Sequence, residues 1–226
     1  MLLTGNTTPK RKILTGNTRV KGKYNMPAAT LRLSNGTDER IPPRDRLVAV
    51  AAELFYRHGI RAIGVEAIAE AAGTNKMTLY RHFASKDELV AECLRQVGRR
   101  GAERWEVYEQ AHPDDPHGQL RAWLADVADH VANANHRGCA LANAAVELPD
   151  KTHPARRVIE EYKIAQRDRL ARLCRSADLH EPEMLADELY LLLEGARVTA
   201  QSVGRDGLGA RLMRMGEAMI AAHQAR

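Results

Sequence analysis

The stretch that most constrains the fold runs from Val65 to Lys86 of the 226-residue chain, and it reads as two short helices joined by a tight turn. Small and apolar residues at 68, 69 and 72 form one helical face. Gly73 follows at once, where a helix needs a left-handed residue to end and reverse direction. Asn75 then offers a side-chain oxygen that caps a second helix. The stretch therefore predicts a helix, a glycine turn and a further helix.

The second helix of this pair carries an apolar face and a basic, polar surface. Leu79 and Phe83 are four residues apart, so they share one face, which we assign to the core. The remaining surface carries Lys76, Thr78, Arg81 and His82. This layout is typical of a helix-turn-helix, whose second helix enters the major groove of DNA.

Arg46 to Leu89 closely resembles the DNA-binding domain of TetR-family transcriptional regulators. The matching residues are Ala51, Ala52, Leu54, Phe55, Gly59, Ile68, Ala69, Ala72, Gly73, Lys76, Thr78, Leu79, Tyr80, His82, Phe83, Ser85, Lys86, Glu88 and Leu89. Two positions depart from the family pattern. Gly64 stands where the family often has Ser or Thr, and Asn75 replaces the common Ser. A Gly N-cap loses the hydroxyl, but it still exposes backbone N–H groups to a phosphate.

The resemblance implies a set of DNA-contacting residues around the second helix. The predicted residues are Gly64, Asn75, Lys76, Met77, Thr78, Tyr80, His82 and Lys86. Near the groove floor, Lys76 suits a guanine edge and Met77 suits a thymine methyl. Tyr80, His82 and Lys86 resemble the family's backbone-facing residues. For Tyr80 and His82 the alternative is half-buried packing against Phe83.

Composition and charge favour a cytoplasmic, helical protein with a polyanionic partner. Residues 1–40 carry a net charge of +6, residues 41–100 carry +3, and residues 101–226 carry −4. The three cysteines are widely separated, which argues against a zinc site or a disulfide framework. No apolar run is long enough to span a membrane, so we expect no membrane partner. The chain also lacks the pattern of a secretory leader.

We predict an all-α fold in three parts: a disordered basic tail over residues 1–41, a three-helix helix-turn-helix head over 42–88, and a helical-bundle domain for effector binding and dimerisation over 89–226. In the head, Leu47 to His58 forms a first helix that ends at Gly59, with Asp45 as its cap. The tail is either a basic arm that follows DNA or a disordered extension. In the second case Met26 would be the translation start that is used. A fourth helix, opened by Ser85 and Glu88 as a capping box, is expected to run to about Gln110 and to be loosened near Gly98 and Gly101.

A short loop at 112–117 contains two His and two Asp residues. This composition suits a metal, but its two prolines favour an ordinary turn. We therefore predict no metal site and no cofactor.

The middle helices are expected to enclose a ligand pocket. Candidates for its lining are Trp105, Tyr108, Trp123, His130, Cys139, Asn143 and Tyr162. Each of these residues is alternatively core or surface. An apolar lining with a few polar groups would suit a hydrophobic small molecule.

The last two predicted helices, near 182–203 and 208–222, carry Leu and Met stripes and are joined by a short turn, so they should be antiparallel. Family members resembling this chain pair these helices with a partner's copies in a four-helix interface. Small residues such as Gly195 and Gly216 would allow close packing there. The alternative is that the stripes bury against their own domain. A helix-turn-helix favours the homodimer, because two-fold DNA sites need two heads.

Together these features predict a repressor that binds a double-stranded DNA operator and leaves it when a small-molecule effector binds. Two rivals are considered. One is an enzyme, for which we find no nucleophile elbow, P-loop, His-Glu-x-x-His or dinucleotide motif. The other is a constitutive DNA-binding protein whose body only dimerises. A solid body core would favour it, and an enclosed, apolar cavity would argue against it.

Overall fold

A computed structural model describes residues 41–133 and 137–224 of the chain. Within these ranges the protein forms helices and, apart from one isolated bridge between Leu179 and Gln224, no β-structure. The helices are α1 (Pro43–His58), α2 (Val65–Ala71), α3 (Lys76–His82), α4 (Lys86–Ala111), α5 (Pro116–Ala132), α6 (Ala140–Glu147), α7 (Pro154–Ser176), α8 (Pro182–Ser202) and α9 (Leu208–Ala222). The all-α prediction is confirmed. Apart from its last position, the predicted tail over residues 1–41 lies outside the described residues.

Helix α1 begins earlier than the predicted cap would allow. Pro43 takes the first helical position, where its missing N–H costs nothing, and Pro42 precedes it as the N-cap. Asp45 therefore lies in the first turn rather than at the cap, and the prediction of a capping role for it was wrong. The helix ends at Gly59, whose φ of +86° falls in the region that glycine adopts most readily.

Helix α4 is continuous through its two glycines, so the predicted loosening does not occur. A β-carbon on Gly101 would lie 1.8 Å from the hydroxyl oxygen of Tyr162, and one on Gly98 would lie 3.0 Å from the same ring. The glycines therefore let α7 approach α4 closely. At the start of α4 the Ser85 hydroxyl accepts a hydrogen bond from the Glu88 N–H at 3.1 Å, as the capping prediction requires.

The body packs α5 against α9 and α8 against both α7 and α9. Gly216 lies buried in α9, and a β-carbon there would come within 2.6 Å of both methyl carbons of Leu124 on α5. This glycine therefore sets the spacing of two helices in one chain. The expectation that Gly216 helps to pack a partner chain was wrong for this residue.

The hydrophobic core of the head does not stop at residue 88. The buried cluster that contains Leu47 and Leu79 continues into the first turns of α4 and meets Leu141 on α6 and Ile159 on α7. The domain boundary at 88 therefore remains a prediction, and the head rests on the body through shared apolar contacts.

The loop before α5 has a local structural role. The side chain of Asp115 accepts a hydrogen bond from the Gly118 N–H at 2.9 Å and so caps α5. No cluster of three or more His, Cys, Asp or Glu side chains that could hold a metal ion occurs among residues 41–133 and 137–224. In the same ranges no helix is both long and apolar enough to cross a bilayer.

Candidate nucleic-acid interface and effector cavity

The turn between α2 and α3 is held by its backbone. Gly73 has a φ of +63°, and its N–H donates to the carbonyl of Glu70 at 3.0 Å. A β-carbon at Gly73 would meet no atom within 4 Å, so the glycine is needed for its backbone conformation and not for space. The Arg46 side chain donates to the carbonyl of Ala72 at 2.7 Å and satisfies one group at the end of α2.

Helix α3 is oriented by one cap and two buried side chains. The side-chain oxygen of Asn75 accepts a hydrogen bond from the Thr78 N–H at 2.9 Å, which confirms the predicted cap. Leu79 is fully buried, and Phe83, at the end of the helix, is nearly so. The guanidinium of Arg44 lies 5.3 Å from the centre of the Phe83 ring. The remaining face of α3 is therefore turned away from the head.

The outward face of α3 carries the residues that the sequence selects for DNA. Met77 is 77% exposed, and Tyr80 is 44% exposed although its ring is large and apolar. His82 is exposed and Thr78 is half-buried. Gly64 is exposed at the N-cap of α2, with no side-chain hydrogen bond at that helix end. An exposed Met and Tyr on one short, basic helix form a surface suited to base edges and phosphates.

Lys76 is exposed, but its ammonium already has a hydrogen-bond partner. Its ammonium donates to Glu66 Oε1 at 2.6 Å and lies 5.9 Å from the centre of the Tyr80 ring. The hydrogen bond to Glu66 raises the pKa of Lys76, and the same bond lowers the pKa of Glu66. In the free protein the predicted base-reading cation is therefore neutralised by a carboxylate on α2.

We expect Glu66→Gln to strengthen DNA binding about two- to fivefold, because it releases the Lys76 ammonium and removes a negative charge beside the groove-facing helix. Titration of a labelled duplex at two salt concentrations measures the effect, which should shrink at the higher salt. Glu70→Gln on the same helix is the charge-matched control. Weaker binding by Glu66→Gln would contradict the expectation, because it would show that the ion pair holds Lys76 in its working position.

Lys86 is used inside the protein. Its ammonium donates to the carbonyl of Ile60 at 2.6 Å and lies 5.8 Å from the centre of the Phe55 ring. Burial lowers the pKa of this amine, although nearby carboxylates act in the opposite direction. A DNA contact by Lys86 stays a prediction, since the group already supports the turn between α1 and α2.

The helices of the body surround a cavity of about 380 Å³, within the size range of small-molecule sites. Its walls come from α1, α4, α5, α7 and α8 and from the segment that enters α6. Six of the predicted residues line it: Trp105, Tyr108, Trp123, His130, Cys139 and Tyr162. Asn143 does not. It lies beside a second cavity of about 30 Å³ and donates to the carbonyl of Arg137 at 2.8 Å.

The lining combines an aromatic wall with several charged side chains. Trp105 and Trp123 stack with centroids 6.3 Å apart and form an aromatic wall. The lining also includes charged side chains, namely Glu53, Arg100, Arg104, Asp126, Lys163 and Arg197. The sequence predicted an apolar lining with a few polar groups, and it did not name these charged side chains. Burial raises the pKa of Tyr108, and so does the Asp126 carboxylate, which accepts a hydrogen bond from the Tyr108 hydroxyl at 2.6 Å.

A second group of contacts joins the cavity wall to the head. Tyr56 on α1 lines the cavity and donates to the carbonyl of Gly138 at 3.0 Å, while the Arg137 side chain donates to the carbonyls of Tyr56 and Arg57. At the far end of α6, Glu147 Oε2 accepts from the N–H of Ile60 at 2.7 Å and from Arg61 at 3.2 Å. We call these contacts of Arg137, Gly138 and Glu147 the head clamp.

Sequence reasoning missed the head clamp and the charged cavity wall. Glu147 and Ile60 are 87 residues apart, and no local pattern links them. One signal was available for α8: Tyr190 and Arg197 fall on the same helical face as the buried Leu193, where a polar residue is unexpected. A cavity explains why these polar groups interrupt an apolar face.

The fold and the outward α3 define a helix-turn-helix protein whose three-helix head is carried by an all-helical body. Residues 47–93 match the family described as "Bacterial regulatory proteins, tetR family". This match assigns the head to that family, and the chain as a whole is similar to the TetR-family relatives and solved structures below.

Curated relatives and solved structures agree with this placement. The chain is 48% identical over 110 residues to the HTH-type transcriptional repressor KstR2 of Mycobacterium tuberculosis, a match that spans 49% of this chain and 46% of that protein. The chain therefore covers about half the length of the curated relatives it matches. A TetR-family regulator of Streptomyces coelicolor, SCO4454, superposes with a TM-score of 0.75 at 26% identity, over 81% of this chain and 96% of that one. A Streptomyces avermitilis regulator gives a TM-score of 0.68 at 29% identity, over 82% and 100% of the two chains.

Proposed function

We propose that this protein is a sequence-specific, DNA-binding transcriptional regulator of the cytoplasm, and that it represses transcription until a small-molecule effector releases it from its operator. The observation that carries the proposal is the outward face of α3, where Met77 and Tyr80 are exposed while Leu79 holds the helix to the core. An exposed Met and Tyr beside a lysine serve no packing purpose in the head. They suit the floor and walls of a major groove.

The DNA contacts divide into two kinds. Lys76 and Met77, at the front of α3, are assigned to base edges, with Lys76 leaving Glu66 for a guanine. Tyr80 and His82 are assigned to the phosphates on either side of the groove, which fix the register of the head. The backbone N–H groups that follow Gly64 are assigned to a further phosphate.

The proposal includes a homodimer built on α8 and α9. On α8, Leu191, Gly195 and Val198 follow one another at helical spacing on the outer surface. Leu191 is 71% exposed and Val198 is 61% exposed, and no atom lies within 4 Å of a β-carbon built on Gly195. Met215 on α9 is also exposed. An apolar stripe that is open at a glycine suits a second copy of the same helix, and this supports the two-fold arrangement that paired half-sites require.

The head clamp offers a route from the effector to the DNA. Tyr56, Gly138 and Cys139 line the cavity, and two of them belong to the segment that enters α6. A ligand that displaces this segment also displaces Glu147 at the other end of α6, which holds the turn after α1. A tilt of α4, the helix that joins head and body, would then change the spacing of two heads in a dimer. The differential contacts of the ligand with the two positions of α6 would drive the switch.

Glu147→Ala is expected to loosen the head without unfolding the body. The variant leaves the N–H groups of Ile60 and Arg61 without their acceptor, which costs about 1–3 kcal/mol for a buried donor. Hydrogen exchange at these two amides should become at least about tenfold faster. Val146→Ala, at the exposed neighbouring position, is the control. Unchanged exchange at Ile60 would show that the carboxylate does not hold the turn.

The proposed function is tested by selecting duplexes from random DNA with the full-length protein. We expect enrichment of a two-fold symmetric sequence whose affinity falls steeply with salt, because counterions are released on binding. Failure to enrich any sequence would contradict the proposal. Mapping of bound sites in the cell would then identify the regulated genes, and the direction of their response would separate repression from activation.

The two alternatives make different predictions. A constitutive DNA-binding protein needs no effector site, and the cavity of about 380 Å³ in the body speaks against it. An enzyme would show turnover in a broad hydrolase or oxidoreductase screen. The relatives reported above carry the names of regulators, which favours regulation over catalysis.

A further inference from the structure

One wall of the cavity carries two cations that share a single carboxylate. Glu194 on α8 accepts from the Lys163 ammonium at 2.6 Å with one oxygen and from the Arg197 guanidinium at 2.9 Å with the other. Lys163 and Arg197 line the cavity, whereas Glu194 is not among its lining residues. All three side chains are largely withdrawn from solvent. The cluster therefore holds an excess positive charge that points at the cavity.

One hydrogen-bond donor of the Arg197 guanidinium has no acceptor. Its Nε is buried, and no hydrogen-bond acceptor contacts it in the described part of the chain. A buried donor without an acceptor is costly, so this Nε is suited to an acceptor oxygen from a ligand or a water in the cavity. Burial lowers the pKa of Lys163, but Cys139 and Glu194 outweigh this effect and the pKa is raised, so the amine is charged at neutral pH.

The opposite wall adds cations without a matching number of carboxylates. Arg104 on α4 is paired with Asp126, so this pair is close to neutral. Arg100, one turn earlier on α4, lines the cavity and makes no hydrogen bond or ion pair within residues 41–133 and 137–224. Glu53 is paired with Arg57 on α1. Arg100 therefore adds to the positive charge contributed by Lys163 and Arg197.

We infer that the effector is an organic oxyanion, whose charged group lies between Lys163 and Arg197 and whose apolar body packs against the stacked Trp105 and Trp123. Two oxygens of a carboxylate or phosphate ester match the donors that Lys163 and Arg197 leave open, including the buried Nε of Arg197. A cationic ligand would add charge to a site that already has a surplus. This inference rests on the proposed effector-controlled function and gives the effector its chemical class.

The test compares charged probes with neutral ones of the same shape. The full-length protein is titrated calorimetrically with 2-naphthoate, decanoate and 2-naphthyl phosphate, and with the amides 2-naphthamide and decanamide. We expect 2-naphthoate or decanoate to bind about tenfold or more tightly than its own amide. Comparing 2-naphthoate with decanoate shows whether the site prefers an aromatic or an aliphatic body. Comparing 2-naphthoate with 2-naphthyl phosphate shows whether it prefers a carboxylate or a phosphate ester.

Three variants assign the charge to the cluster. Arg197→Gln should weaken binding of the preferred oxyanion about tenfold, whereas Glu194→Gln should tighten it, because both cations are then released. Arg172→Gln, an exposed arginine of α7 outside the cavity lining, should leave binding unchanged. Thermal unfolding confirms that each variant is folded, and Glu194→Gln keeps the test sharp if Arg197→Gln unfolds.

Two results overturn the inference: oxyanions that bind no more tightly than their amides, or an oxyanion affinity that Glu194→Gln fails to raise and Arg197→Gln fails to lower. Binding of selected DNA by the unliganded protein is measured separately. If the protein binds oxyanions but selects no DNA sequence, the result counts against the proposed function alone. DNA binding without any preference for oxyanions would count against the ligand class alone.

Discussion

A Leu191→Arg, Val198→Arg protein is expected to be a folded monomer that binds its operator at least about 100-fold more weakly than the parent protein. Both side chains are exposed on α8 in the single chain, so arginines there create no buried charge in the monomer. In a two-fold interface each substitution appears twice, so four arginines lie within one self-complementary surface and repel one another. Loss of the dimer removes the second head, and with it the gain from binding two half-sites at once.

Sedimentation and DNA titration measure the two parts of this prediction. Val107→Arg, at an exposed apolar position of α4 away from α8 and α9, is the matched control and should remain dimeric. A double variant that stays dimeric would place the interface on another surface. A monomer with unchanged operator affinity would show that a single head is sufficient for recognition.

The second large effect is expected from the outward face of α3. Lys76→Ala combined with Tyr80→Ala should lower operator affinity about 100-fold or more while leaving the fold intact, because both side chains are exposed and neither belongs to the core. The affinity for random DNA should fall by a smaller factor, because only the phosphate contacts contribute to that binding.

Single variants separate the two roles. Lys76→Ala should reduce the ratio of operator to random-DNA affinity, because a base-reading group is lost. Tyr80→Phe removes only the hydroxyl and should weaken binding to operator and to random DNA by the same factor. Arg172→Ala on α7 removes one positive charge and tests for a general electrostatic effect. It should change neither the operator affinity nor the ratio of operator to random-DNA affinity strongly. Equal losses for Lys76→Ala on operator and random DNA would reject the division into base-reading and phosphate-binding residues.

Local patterns predicted the head well. The turn needs a left-handed residue at Gly73, a cap at Asn75 and a buried Leu79, and each requirement involves residues close together in sequence. The resemblance to a known family covered the same stretch. For these reasons the helices of the head and the outward face of α3 follow from the sequence.

Contacts between distant helices were not predictable in the same way. Gly216 was expected to face a partner, but it packs on Leu124, more than ninety positions earlier in the chain. The DNA contact of Lys86 stays a prediction, but no local pattern predicted the hydrogen bond from its ammonium to the carbonyl of Ile60. The polarity of the cavity also depends on which face of α7 turns inward, and Lys163 shows no periodic signal of that choice. The position of Asn143 outside the main cavity has the same origin.

The most direct test of the account is a hydroxyl-radical footprint of the full-length protein on its selected duplex, compared with that of the Lys76→Ala, Tyr80→Ala protein. We predict two protected tracts on one side of the duplex, centred about one helical turn or a multiple of it apart, and both absent with the variant at the same concentration. A single tract, or two tracts that persist unchanged when the outward face of α3 is removed, would contradict a pair of heads that read DNA through this helix.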